Sequence, residues 1–163
     1  MFQTPARPDS LTHQLALVSE ISSRAAAILQ LDELLQTVSD LTKAQFNLYH
    51  VHIYLLDPAG QILSLAAGAG DIGRMMVRFN HQILMNNTQS MVARSARDMQ
   101  AVIINNVVEA EYFLPNPLLP DTRSEMAVPM LFAGNPVGVL DIQADAVGRF
   151  DESDAYIFTL LAN

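Results

Sequence analysis

The chain contains no cysteine. That excludes disulfides, thiolate nucleophiles, Cys-ligated zinc, iron–sulfur clusters and any thioether-linked chromophore. Basic residues are scarce as well: nine Lys and Arg stand against 17 Asp and Glu, for a formal net charge of −8. Nucleic-acid phosphates need a basic footprint. Arg74, Arg78, Arg94 and Arg97 are scattered and make no stripe, so no nucleic-acid partner is expected. No apolar run approaches the ~20 residues that a spanning helix needs. Met1 to Ser10 carries Arg7 but no apolar signal core. The expectation is a cytoplasmic setting with no membrane contact by this segment.

What the chain does have is apolar content. Half of its 163 residues are hydrophobic, enough for one well-cored domain with a flanking element. Residues 1–9, with Pro5 and Pro8, read as a loose leader. Ser10 is placed to cap a helix over 10–30, with Leu11, Leu15, Val18, Ala25 and Leu29 on one stripe. Asp32 is placed to cap a second helical piece carrying Leu34, Leu35, Val38 and Leu41. The stripe fits either a helix lying on its own sheet or a dimer helix pairing with a second copy.

Leu48–Leu56 reads as a strand, Asp57-Pro58-Ala59-Gly60 as a turn and Gln61–Ala67 as the return strand. A glycine-spaced stretch with Met75 and Met76 follows, then a short helix over 88–98 and a strand over 101–105. A long loop carries Pro115, Pro117 and Pro120. Glu125–Phe132 and Val137–Gln143 form a second hairpin about Ala133-Gly134-Asn135-Pro136. Asp151, with Asp154 three residues on, starts a closing helix. Two hairpins demand antiparallel pairing. The expected class is α+β: five or six antiparallel strands, terminal helices on one face, short helices and loops on the other.

Several segments of this order resemble a known family. Ile53-Tyr54-Leu55-Leu56-Asp57-Pro58-Ala59-Gly60 resembles the first hairpin of GAF domains. Arg123-Ser124-Glu125-Met126-Ala127-Val128-Pro129-Met130 and Gly138-Val139-Leu140-Asp141-Ile142-Gln143-Ala144-Asp145 resemble two later strands. Phe150-Asp151-Glu152-Ser153-Asp154 resembles the start of the last helix. The loop from Asn105 through Phe113 to Pro120 resembles the long connection between them. The wording is most similar to bacterial multi-sensor signalling proteins with a histidine-kinase-type parent.

The resemblance implies a sensory domain over 31–163 that binds an unknown small molecule between the sheet and the middle loops. It implies a homodimer through terminal helices, and a last helix continuing into an output domain of the same parent chain. His52, His81, Asn105, Tyr112 and Glu125 are the expected polar groups at the pocket. The cofactor is left open, but a covalently attached bilin is excluded by the missing cysteine. Cyclic-nucleotide-binding members often show Asn-Lys, then Phe, then Asp. Here Asn135 precedes Pro136, with Phe150 and Asp154 remaining, and the missing lysine removes an ion pair.

Other motifs divide between functional and ordinary roles. Gly68-Ala69-Gly70-Asp71-Ile72-Gly73 spells G-x-G-x-x-G, but it follows half of a hairpin and lacks the acidic residue ~20 positions on. A flexible loop at the pocket rim is the alternative. His50 and His52 share a strand face but lack an evident third metal ligand, so no metal is expected. His81 could ligate haem, meet an anion or simply face water. Met75, Met76, Met85, Met91, Met99, Met126 and Met130 suit core filling or a plastic pocket. Glu125 could pair with Arg123 or cap a neighbouring loop. No acid/base dyad, Ser/His/Asp order, HExxH or Walker motif is visible, and sulfoxide-reducing members need cysteines. The expectation is no enzymatic activity.

Overall fold

A computed structural model describes the backbone from Leu11 to Asn163 and the side chains from Val18 onward. The expected leader, the Ser10 cap and the side chains of Leu11 and Leu15 lie outside the described residues. The chain divides into two compact units, one ending at Leu34 and one spanning Leu35–Asn163.

One helix, α1 (Leu11–Phe46), replaces the two expected pieces. Its 36 residues contain neither Gly nor Pro, so no backbone signal interrupts it. Asp32 is therefore a mid-helix residue and caps nothing. Within the first unit, Val18, Ala25 and Leu29 of the expected stripe are all exposed. Glu20 and Arg24 pair along the helix at 2.7 Å.

The second unit is built on six antiparallel strands in the order β3-β2-β1-β6-β5-β4. Chain order is β1 (His50–Leu56), β2 (Ile62–Gly68), α2 (Gly70–Arg78), β3 (Gln82–Leu84), α3 (Met91–Asp98), β4 (Val102–Ile104), β5 (Ser124–Phe132), β6 (Asn135–Ala144) and α4 (Glu152–Ala162). The α+β class is thus as expected, with six strands. The first turn is fixed by Asp57, whose carboxylate accepts from the backbone N–H of Ile62 at 2.8 Å. The second places Ala133 and Gly134 at φ 49° and 78°, the left-handed geometry that matches the twist of paired strands. Asp151 and Asp154 form the reciprocal capping box of α4.

Side chains alternate across the strands, and each sheet face has its own core. One face carries Val51, Ile53, Met126, Val128, Leu140 and Ile142, covered by Leu35, Val38 and Phe46 of α1 and by Phe158 of α4. The Phe46 and Phe158 rings are tilted at 4.8 Å. The other face carries Tyr54, Leu63, Leu65, Ala127 and Val139, covered by Met76, Met91, Val92, Ala96 and Leu119.

The glycine motif is a tight corner, not a flexible rim. A Cβ on Gly68 would stand 2.6 Å from the Gly73 Cα, so the two glycines let β2 and α2 meet backbone to backbone. Asp40 of α1 caps this corner, accepting from the Gly70 N–H at 2.8 Å and from Arg74 at 2.6 Å. Gln36 donates to the Gly68 carbonyl at 2.8 Å.

Candidate ligand site

A cavity of about 260 Å³ lies against the second sheet face. Its floor is His52 and Tyr54 of β1, Glu125 of β5, and Asp141 and Gln143 of β6. The pleat puts these residues together. Register pairs His52 with Asp141 and His50 with Gln143, and Glu125 with Gln143. Paired residues project to the same face. The walls are Ser90, Met91 and Val92 at the start of α3, Ile83 and His81 beside β3, and the segment 113–118.

The floor is a buried polar network. His50 Nε2 and His52 Nε2 are 2.9 Å apart. Gln143 donates to Asp141 Oδ2 at 2.9 Å, and Thr122 donates to Gln143 Oε1 at 2.7 Å. His52 Nδ1 stands 3.4 Å from the same Asp141 oxygen, within ion-pair range but without hydrogen-bond geometry. Both His52 Nδ1 and Asp141 Oδ1 are left without a hydrogen-bond partner. An unmet buried polar atom costs about 1–3 kcal/mol, more for a charged one.

The ionisation pattern follows from burial and neighbours. Burial pushes the Glu125 carboxyl well above its usual range, and the neighbouring Asp141 charge pushes it further. Burial also presses Asp141 upward, but the facing His52 and the hydrogen bond from Gln143 outweigh it, so Asp141 lies below its usual value. Glu125 is therefore biased toward its neutral form and Asp141 toward its charged form. Burial, then the neighbouring His52, lower His50 to about 3. Burial, then His52, lower His81. Burial and the Asp141 charge keep the Tyr54 hydroxyl protonated to high pH.

Of the residues expected at the pocket, the structure brings His52, His81 and Glu125 to the cavity wall. Asn105 and Tyr112 do not line it. Asn105 holds the Phe150 backbone through its carboxamide, at 2.7 and 3.1 Å. Tyr112 lies under the Arg94 guanidinium at 4.4 Å. The expected pairing of Glu125 with Arg123 is also corrected, since Arg123 donates to the Pro120 and Thr122 carbonyls. Of the seven methionines, Met91 alone lines the cavity. Phe150 and Asp154 serve the last helix, Phe150 buried against the first core and Asp154 paired with Arg149 at 3.2 Å.

Asp141, Gln143 and Thr122 were missed by sequence reading. The signal available was the i, i+2 spacing of Asp141 and Gln143, matching that of His50 and His52. Using it requires knowing that β6 pairs with β1, a contact that no local pattern announces. Among the described residues, no group of three His, Asp or Glu side chains is placed to hold a metal ion. No helix among them is long and apolar enough to cross a membrane.

A family model for the GAF domain matches residues 28–163, and the chain belongs to that family. GAF domains are regulatory, small-molecule-binding sensory domains of signalling proteins. The chain is 26% identical to GAF domain-containing protein A of Dictyostelium discoideum over 125 residues, covering 77% of this chain and 72% of that protein. Among solved structures it resembles the GAF domain of an Acinetobacter phosphoenolpyruvate-protein phosphotransferase, at TM-score 0.68 and 19% identity, covering 84% of each chain. It equally resembles the type II free methionine-R-sulfoxide reductase of Thermoplasma acidophilum, at TM-score 0.68 and 21% identity, covering 83% of this chain and 90% of that one.

This last likeness corrects the expectation of no enzymatic activity. The same fold carries an enzyme, so recognising the fold does not make a chain non-catalytic. The expectation also rested on finding no acid/base dyad in the sequence. The structure brings Glu125 and Asp141 together at a cavity floor, with opposite protonation preferences.

Proposed function

We propose that this domain takes up a small organic molecule in the cavity over β1, β5 and β6 and transmits its presence to α1. The observation that carries the reading is Asp141, which lines the cavity and whose buried Oδ1 has no hydrogen-bond partner. A site that leaves a charged oxygen unsatisfied is completed by a molecule that satisfies it.

Transmission has a physical route. Asn116, in the cavity wall, donates to the Met76 sulfur at 3.5 Å. Met76 belongs to α2, whose Arg74 and Gly70 are held by Asp40 of α1. A ligand that favours one placement of segment 113–118 biases α2, and through Asp40 biases α1. Differential affinity for two arrangements is the only source of such a shift.

Native mass spectrometry of the purified chain tests the uptake. The expected result is a reproducible extra mass of a small organic compound, lost in Val92→Trp, where the larger side chain fills the cavity. A folded protein that stays bare after exposure to a cell metabolite extract overturns the reading.

A second reading is favoured by the exposed Val18, Ile21, Ile28 and Leu29 of α1: a homodimer formed through this helix. Light scattering is expected to give a dimer that becomes a monomer when these four are replaced by Gln. A monomeric parent protein contradicts it.

A further inference from the structure

We infer that the cavity selects a compact organic monocation, an ammonium or guanidinium head on an apolar body, over zwitterions and anions of the same shape. This rests on the ligand-binding reading above and names its ligand class.

Three observations point to it. The first is charge. The cavity lining contains two carboxyl residues, Glu125 and Asp141, and neither Lys nor Arg. A carboxylate or phosphate entering would lose its hydration and find no fixed cation, whereas a cationic head would meet a buried anion. The second is an unmet acceptor. Asp141 is 1% exposed, and its Oδ2 is served by Gln143 while Oδ1 accepts from nothing. An N–H donor from the ligand would supply the missing bond, and a charge-assisted one is the strongest available.

The third is the shape of the rest. Away from the floor, Ile83, Met91, Val92, Phe113, Leu114 and Leu118 outnumber the polar His81, Ser90, Asn116 and Thr122. The head is therefore fixed at one end of a mainly apolar chamber. A cavity of ~150 Å³ is enough for a benzene ring, so about 260 Å³ accommodates a ring with a short aminoalkyl chain. A free α-amino acid would place its ammonium well and leave its carboxylate without a cationic partner. That separates the proposed ligand class from zwitterions.

Isothermal titration calorimetry with three isosteres reads the selectivity directly: 2-phenylethylammonium, phenylalanine and 3-phenylpropionate, each at neutral pH. The expected result is that the amine binds at least about tenfold more tightly than either carboxylate-bearing probe. In Asp141→Asn, checked for folding by circular dichroism, the amine is expected to lose at least about tenfold in affinity. If that variant does not fold, the ranking on the unaltered protein decides alone. Equal or tighter binding of phenylalanine or 3-phenylpropionate overturns the proposal. So do an unchanged affinity in folded Asp141→Asn and the failure of the amine to bind at millimolar concentration. A neutral or anionic compound found in the cavity by native mass spectrometry would sink the charge selection alone and leave the ligand-binding reading standing.

Discussion

Asp141 and His52 face each other across the β1–β6 pair, each 1% exposed, with Oδ2 and Nδ1 3.4 Å apart and no hydrogen bond formed between them. A network built only for stability would close that gap, because buried polar groups are nearly always satisfied. Here the gap lies where segment 113–118 and the start of α3 leave a chamber over the sheet. His52 and Asp141, which carry the unsatisfied atoms, both line that chamber.

The pH dependence of folding separates the two sides of the network. His50 is lowered to about 3 in the folded protein from ~6.5 unfolded. The unfolded chain thus binds more protons between these values, and stability falls as pH drops through that window, by at most about 1.4 kcal/mol per pH unit. Glu125 acts oppositely. Its folded value is raised, so its share of stability is present in acid and is lost as pH rises above ~4.3. Urea denaturation across pH should show His50→Gln flattening the loss toward acid and Glu125→Gln flattening the loss toward alkali. Parallel curves for both variants and the unaltered protein would refute the assignments.

The helical face of the sheet depends on Phe158, which is fully buried and packed against the tilted ring of Phe46. Phe158→Ala is expected to cost about 3–5 kcal/mol, from lost burial and the cavity left behind. Chemical denaturation would measure it, and a cost below about 1 kcal/mol would contradict the packing described.

The Gly68–Gly73 contact makes a similarly specific demand. Gly73→Ala puts a methyl into the Gly68 backbone, which cannot rotate away, and about 1–3 kcal/mol of destabilisation is expected. Gly134→Ala in the β5–β6 turn meets open space but keeps a φ of 78°, so its expected cost is strain alone, of order 1 kcal/mol. The same denaturation assay should rank Gly73→Ala as the more damaging, and the reverse order would contradict the corner geometry.

Much of the fold was legible because its signals are local. Asp57 through Gly60, Ala133 through Pro136, and Asp151 with Asp154 each determine a turn or cap within a few residues. The β-strands followed from alternation, which also put His52 and Glu125 on usable faces. The failures share one cause, which is dependence on distant partners. Asp32 reads as a cap only until it is seen inside an unbroken helix. The glycines around Gly70 read as a loose loop until Asp40 is found holding that corner. Asn105 reads as a ligand group until Phe150 is found to occupy its carboxamide. Asp141 had no visible role until β6 was paired with β1.

Two-dimensional ¹H–¹⁵N NMR of the labelled domain, titrated with 2-phenylethylammonium, would follow site and transmission together. Shift changes are predicted at the amides of Val92, Asn116, Glu125 and Asp141, extending through Met76 and Gly70 to Asp40. Changes confined to an outer groove, such as that around Glu109 and Tyr112, with the Asp141 and Asn116 amides unmoved, would contradict the cavity as the binding site.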